Sequence, residues 1–318
     1  MILASIPSPS YEFQILRLDD LFRSWGAPWF TLDISIHAYA LCILAGILAA
    51  LWIANRRLVS RGVESGLVID VALFTVPLGI IGGRIYHVLT HSADYFGEGK
   101  DLSHVLYIWE GGMAIFGAII GGLIGAVIGC RVVGLRLTSY LDALAPGMLV
   151  AQAMGRLGNY FNHELFGWPT ELPWGLEIES TNAAFPAGLP EGTLFHPTFL
   201  YEMIWNFLGA AVVVWLGRKF VLQWGRQFAL YLVWYGLGRI VWESIRLDPS
   251  DIILGLRTNV WAAIAAVVVG LAIFVIQGMR HTGRESGAYV SGRGNSGQDA
   301  LESEDTYTVD ELVTGAKS

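Results

Sequence analysis

Apolar residues fall into long blocks along this chain, at roughly 36–54, 68–89, 112–133, 142–158, 198–217, 227–244 and 258–278, with polar segments between them. About 20 consecutive apolar residues carry a helix across the hydrocarbon core of a bilayer. Backbone groups inside that core must be paired within their own segment. The pattern therefore predicts an all-α integral membrane protein, a bundle of about seven transmembrane helices, of which the fourth is the shortest. Within the third block Gly117, Gly121, Gly125 and Gly129 recur every four residues. A stripe of that kind on one helix face predicts a close helix–helix seam and not a site.

Composition supports the pattern. Of 318 residues 54% are hydrophobic and only 15% charged, with a mean hydropathy of +0.51, too apolar for an ordinary soluble domain. Orientation follows from the basic residues. Arg56, Arg57 and Arg61 follow the first block, Arg131 and Arg136 the third, Arg218, Lys219 and Arg226 the fifth, and Arg280, Arg284, Arg293 and Lys317 the seventh. The opposite side holds only Arg17, Arg23, Lys100, Arg246 and Arg257. The positive-inside bias then predicts the N-terminus outside and the C-terminus in the cytoplasm.

Three further segments complete the organisation. Residues 1–35 read as an outer interfacial segment, since Trp25 to Phe30 combine aromatics with proline; such rings settle at headgroup level. No cleaved leader is expected there, because Glu12, Asp19 and Asp20 interrupt any compact apolar core. Between the fourth and fifth blocks an outer loop, 159–197, carries Trp168, Trp174 and several acidic residues and prolines but no lysine or arginine. Its length suggests a functional loop, and its aromatic content predicts order at the membrane surface. Residues 281–318, rich in Gly, Ser, Asp and Glu, read as a disordered acidic cytoplasmic tail. The core domain is thus 36–280.

Besides Arg131 at the cytoplasmic end of the third block, three basic residues lie inside apolar blocks: Arg84, Arg156 and Arg239. Embedding an ionisable side chain costs roughly 2.5–3.5 kcal/mol on insertion scales and marks a functional interior. All three lie toward the outer ends of blocks that run outward. With them come His37, Tyr39, Asn159, Glu164, His196, Glu202 and Glu243. Arg239 and Glu243, four residues apart, share a helix face and can neutralise each other. An ion pathway would spread acidic or histidine groups across the bilayer, whereas Asp70 and Asp142 sit at the opposite, cytoplasmic ends. Guanidinium groups at one depth suit an anionic phosphate, which they grip through charge-assisted hydrogen bonds. The phosphate available there is a phospholipid headgroup.

Other chemistries find no support. There is no HExxH motif and no Cys/His cluster with ligand spacing, so neither a metal nor a cofactor is expected. A GxSxG elbow is missing. Cys42 and Cys130 lie inside apolar blocks, where free cysteine behaves as a small hydrophobe. The net charge of −7 sits largely in the tail and outer loops and says little about partners; no nucleic-acid partner is expected. Two function classes remain: an enzyme acting on a phospholipid headgroup, or a phospholipid transporter or scramblase with an arginine headgroup pocket.

The stretch GRLGNYFNHELFG, Gly155 to Gly167, closely resembles the signature of bacterial prolipoprotein diacylglyceryl transferases. The resemblance extends to His37-x-Tyr39, GGR at Gly82 to Arg84, GGM at Gly111 to Met113, HPTFLYE at His196 to Glu202, and GRIVWE ending at Glu243. It implies transfer of a diacylglyceryl group from phosphatidylglycerol to the lipobox cysteine of a prolipoprotein, leaving a thioether and glycerol 1-phosphate. It further implies a place in the bacterial cytoplasmic membrane with the active site on the outer side. In that family the positions matching Tyr39, Arg156, Asn159, Glu164, Gly167, Arg239 and Glu243 are associated with activity. Together with the residue-level reading this assigns catalysis to Arg156, Arg239, Glu243, Tyr39 and His196. Phosphatidylglycerol binding falls to Arg156, Asn159, Glu164, Gly167, Arg84, His37 and Glu202. One departure stands out: many members follow GGM with a histidine proposed to take the thiol proton, and Phe116 occupies that place here. His196, His37 and Glu202 remain as candidate acceptors.

Overall fold

A computed structural model describes residues 5–9, 15–17, 23, 25–26, 35–97, 99–108, 111–248 and 250–293. Among these, seven long helices lie where the apolar blocks predict them: α1 (Ala38–Val59), α2 (Leu67–Thr90), α3 (Ile115–Val133), α4 (Leu137–Phe161), α5 (Thr198–Lys219), α6 (Arg226–Glu243) and α7 (Thr258–Arg280). Three antiparallel pairs accompany them: β1 (Ile15–Arg17) with β2 (Ser35–His37), β3 (Leu176–Glu177) with β4 (Leu194–Phe195), and β5 (Ile252–Ile253) with β6 (Leu256–Arg257). Five helices, α1, α2, α3, α5 and α7, are long and apolar enough to cross a membrane. The other two carry the polar positions: Asp142, Gln152, Arg156 and Asn159 on α4, and Arg226, Arg239 and Glu243 on α6. Apart from Trp25 and Gly26, the interfacial stretch Trp25–Phe30 lies outside the described residues, as do residues 294–318.

The chain divides into two compact units, residues 1–53 with 144–280 and residues 54–143 with 281–318. In the first, Ala145 and Leu149 of α4 pack with Ala210 and Val213 of α5 and Tyr231 of α6. Across this core Gln152 Nε2 donates to Tyr231 Oη at 2.9 Å. The register of α5 on α6 is set by Trp205 and Trp234, whose rings stack at 4.4 Å. Each indole N–H donates to the other's backbone carbonyl, at 3.1 and 3.0 Å. A Cβ on Gly209 or Gly238 would lie 2.2 Å from the opposing indole nitrogen, so only glycine admits this exchange. Gly236 and Gly270 bring α7 close to α6, where a Cβ would fall 2.7 Å from Ala263 O and 2.8 Å from Ala229 O. The 159–197 loop has a core of its own, Phe166, Leu176, Ile178, Phe195 and Phe199, and Ile6 pairs with Leu176 beside β3.

In the second unit the glycine stripe of α3 faces α2. A Cβ on Gly117, Gly121 or Gly125 would fall 2.1–2.5 Å from the carbonyl oxygens of Gly82, Leu78 and Phe74, so the backbones are in direct contact. The seam predicted from the four-residue period is therefore present.

Residues 281–293 differ from the disorder expected of a polar tail. Tyr289 bridges to Leu135, Arg136 N donates to Ala288 O at 2.8 Å, and Val290 N donates to Gly134 O at 2.8 Å. The Glu285 side chain is fully buried and ion-paired with Arg61, and it accepts from Ser139 Oγ at 2.8 Å. Composition signals polarity, but a polar segment whose carbonyls and carboxylate all find partners can still dock. Stripping one partner from a buried ion pair costs about 3–5 kcal/mol. Glu285→Ala is thus expected to lower the thermal midpoint in detergent by about 5 °C or more, read by nanoscale fluorimetry; an unchanged midpoint would show that the docked segment contributes nothing.

Candidate active site

The last two turns of α4 deliver Arg156 and Asn159, and the chain then reverses sharply. His163 (φ 51°) and Leu165 (φ 59°) adopt left-handed backbone conformations, which non-glycine residues hold only when their surroundings impose it. The constraints are visible. Glu164 N donates to Asn159 O at 3.2 Å, and Asn159 Nδ2 and Asn162 Nδ2 donate to Glu164 Oε1 at 2.9 and 3.2 Å. The buried His163 sets its Nδ1 2.9 Å from Glu179 Oε2, and Asn182 Nδ2 donates to His163 O at 3.0 Å. This folded-back turn holds Asn159 Oδ1 as acceptor for Arg156 Nη1 at 3.2 Å.

Helices α5 and α6 supply the other wall. Glu202, one turn before Trp205, is buried and places Oε2 2.7 Å from Arg156 Nη2 and 3.9 Å from Arg239 Nη1. Two guanidinium groups from different helices thus converge on one carboxylate oxygen. Arg239 Nη2 in turn lies 2.8 Å from Glu243 Oε2, as the four-residue spacing predicts.

Beyond α6 the array continues through residues that the sequence reading placed in an outer loop. Arg246 Nη1 lies 3.5 Å from Glu243 Oε2, and Arg257 Nε lies 3.1 Å from Glu243 Oε1. Asp248 joins both arginines, at 2.7 Å from Arg246 Nε and 3.3 Å from Arg257 Nη2. Burial alone would lower the Arg246 guanidinium pKa, but the hydrogen bond and charge of Asp248 and the charges of Glu243 and Glu202 outweigh it and hold it above its ordinary value. Asn259, in the first turn of α7, donates to Glu243 Oε1 at 2.9 Å. Helix α7, featureless by composition, therefore reaches the site. Arg246 was accessible in the sequence as the residue three after Glu243; Arg257 and Asn259 depend on the β5–β6 turn that brings them back. Among the described residues, direct ion pairing sets four guanidinium groups against three carboxylates, one positive charge in excess. Glu164 reaches Arg156 only through Asn159.

Gly167 ties the pieces together. Its N–H donates to His196 O at 3.0 Å, Trp168 N donates to Ile245 O at 3.0 Å, and it bridges to Arg246. A Cβ there would sit 2.8 Å from both His196 Cβ and Ile245 O. The motif loop, the strand leading to α5 and the end of α6 meet at a point with no room for a side chain. The half-buried His196 has Nδ1 3.3 Å from Tyr201 Oη, which accepts from Trp174 Nε1 at 3.0 Å. The Tyr39 ring packs where a Cβ on Gly158 would be, 2.6 Å from its Cδ2, so it lies against the motif helix.

Three positions have other surroundings. His37 pairs through β2 with Ile15 and its side chain is exposed. Arg84, grouped from the sequence with Arg156 and Arg239, belongs to the second unit and is 7% exposed. Its guanidinium donates to Val105 O at 2.8 Å, Gly111 O at 2.8 Å and Gly112 O at 3.0 Å, and also to His104 O. Gly111 (φ 93°) and Gly112 (φ 72°) provide the turn that aims those carbonyls. GGR and GGM are thus two halves of one structural knot. Phe116, in the first turn of α3, has its ring 6.2 Å from that of Tyr86. Among the described residues no group of three or more His, Cys, Asp or Glu side chains could hold a metal ion.

Comparison with known proteins gives this geometry a family. The family model for prolipoprotein diacylglyceryl transferase matches residues 28–276. A phosphatidylglycerol–prolipoprotein diacylglyceryl transferase of Leifsonia xyli is 55% identical over 299 residues, covering 92% of this chain and 86% of that protein. The second such enzyme of Streptomyces coelicolor is 46% identical over 298 residues, with 94% and 89% covered. One from Bifidobacterium longum is 46% identical over 288 residues, with 87% and 86% covered. With the signature residues of Gly155–Gly167 folded around one ion-pair array and the match spanning most of the chain, this protein belongs to the prolipoprotein diacylglyceryl transferase family.

Proposed function

We propose that the paired guanidinium groups of Arg156 and Arg239 hold the phosphate of phosphatidylglycerol while its diacylglyceryl group moves to a prolipoprotein cysteine. The chain is a phosphatidylglycerol–prolipoprotein diacylglyceryl transferase by family and by the names of its relatives. The observation that carries the site assignment is the convergence of Arg156 and Arg239 on Glu202 Oε2, at 2.7 and 3.9 Å. Two guanidinium groups so arranged, in an array with positive charge to spare, suit a phosphodiester that gains charge as it leaves.

The chemistry balances with these parts. The cysteine thiol of a lipobox, with a reference pKa near 8.5, ionises more readily beside fixed positive charge. The thiolate attacks the glyceryl carbon that bears the phosphate ester; a carbon–sulfur bond forms and the carbon–oxygen bond breaks. The electron pair passes to the phosphate oxygen, and glycerol 1-phosphate departs. Preorganised donors act most strongly where charge develops, which assigns Arg156 and Arg239 to the leaving phosphate. Asn159 and Glu164 fix Arg156, Glu243 fixes Arg239, and Tyr39 and Gly167 shape the wall. The thiol proton goes to Glu202 or His196, both in this unit. Arg84 holds the 104–112 turn and His37 the entrance to α1.

In this reading all seven helices span the cytoplasmic membrane, with the N-terminus outside, the C-terminus in the cytoplasm and the site toward the outer face. The bias of basic residues supports the orientation. The test is to incubate purified protein with phosphatidylglycerol and a lipobox peptide and to weigh the peptide. A gain of one diacylglyceryl group, with glycerol 1-phosphate released, is expected. A peptide of unchanged mass, with labelled lipid crossing between leaflets, would instead favour a lipid transporter.

A further inference from the structure

We infer that Asn259 is a positioning residue for the transfer reaction, acting through Glu243 on Arg239. The inference rests on the assignment of Arg239 to the substrate phosphate. Glu243 has a fully buried side chain whose two oxygens face three guanidinium groups, at 2.8 Å for Arg239, 3.5 Å for Arg246 and 3.1 Å for Arg257. Charge alone does not fix which way such a carboxylate turns. A cation attracts either oxygen over a wide range of angles, whereas a hydrogen bond weakens steeply as it bends. Among the described residues the Oε2 atom has no hydrogen bond of good geometry. Oε1 has one, from Asn259 Nδ2 at 2.9 Å. A neutral amide thus sets the rotation of the carboxylate, and that rotation decides where Oε2 holds Arg239.

Asn259 is itself rigidly mounted. Thr258 N and Thr258 Oγ1 donate to Asp251 O at 3.0 and 3.1 Å, and Trp261 Nε1 donates to Ile253 O at 2.9 Å. The first turn of α7 is therefore stitched to residues 251–253 on both sides of Asn259. Arg257, from β6, donates to Glu243 O at 3.3 Å and to Arg246 O at 2.9 Å, so the end of α6 is gripped by this segment as well. An asparagine here supplies a donor without adding a fourth positive charge to a carboxylate that already faces three.

The test measures kcat and KM for phosphatidylglycerol and lipobox peptide in Asn259→Leu, Asn259→Gln, Glu243→Ala, Asn259→Leu/Glu243→Ala and Arg239→Ala, with thermal midpoints alongside. Loss of a hydrogen bond to a charged group is expected to reduce kcat by about 10-fold or more in Asn259→Leu. The peptide KM is expected to stay within about 3-fold, as for a group that touches neither substrate. Asn259→Gln, which keeps the donor, recovers at least part of the rate, and the double variant is no slower than Glu243→Ala alone. Wild-type kcat in Asn259→Leu would overturn the inference, and so would a loss of the same factor in the Glu243→Ala background. If Arg239→Ala retains turnover, the phosphate assignment itself fails. If Arg239→Ala is inactive and Asn259→Leu is normal, only the role of Asn259 fails.

Discussion

Replacing Arg156 or Arg239 by alanine is expected to reduce transfer to a lipobox peptide by on the order of 10²–10³-fold, the scale of losing one preorganised donor to developing charge. The two losses should not multiply. Both guanidinium groups meet at Glu202 Oε2, and groups that act as one unit are non-additive when removed. The arginines are not equivalent, however. Arg156 is held by Glu202 and Asn159, and Arg239 by Glu243 and, at longer range, Glu202. Arg239→Ala leaves the fully buried Glu243 with Arg246, Arg257 and Asn259, so the fold should survive. Arg156→Lys should be nearly as slow as Arg156→Ala, because an ammonium cannot span Glu202 and Asn159 as a planar fork does. Transfer rates measured by peptide mass in membranes check these expectations; near-wild-type turnover in both alanine variants would remove the phosphate grip.

Gly167→Val is expected to slow transfer by about 100-fold while leaving the helices in place. The added side chain enters a point where a single Cβ already lies 2.8 Å from His196 Cβ and from the Ile245 carbonyl, with Thr198 Cγ2 at 3.2 Å. Overpacking of this kind costs about 1–3 kcal/mol. The strain falls on contacts that align the motif loop with the end of α6, namely Gly167 N to His196 O and Trp168 N to Ile245 O, each 3.0 Å. Arg246 and Glu243 follow from that alignment. Helical circular dichroism should be unchanged, the thermal midpoint should fall by a few degrees, and transfer should drop by about 100-fold, since small displacements of a catalytic array carry penalties of that size. Full activity in Gly167→Val would show that the three segments need not meet as described.

The helices were legible because a helix suited to lipid repeats one requirement, an apolar side chain, at nearly every position. The blocks 68–89 and 258–278 match α2 and α7 to within two residues. The four-glycine stripe was equally readable, because close backbone approach in lipid leaves small residues at a fixed period. Within the site, Arg239 and Glu243 could be paired from their spacing, and Arg156, Asn159 and Glu164 from their crowding into one motif. What escaped was long-range pairing. Arg84 carries the same signal as Arg156, an arginine in an apolar block, yet it spends its donors on backbone carbonyls of the 104–112 turn. Arg257 and Asn259 looked like loop charge and plain support because only the β5–β6 pair turns them toward Glu243. Glu285 sat in a segment whose composition resembles disorder, and its partners Arg61 and Ser139 are more than a hundred residues away.

The central claim is that Arg156 and Arg239 together hold the lipid phosphate. It is tested most directly by equilibrium binding of phosphatidylglycerol, against diacylglycerol with the same acyl chains, to the wild type and to Arg156→Gln/Arg239→Gln. The wild type should prefer phosphatidylglycerol by about 10-fold or more, as expected for charge-assisted hydrogen bonds to phosphate, and the double variant should bind the two lipids alike. A preference for phosphatidylglycerol that survives in the double variant would contradict the account.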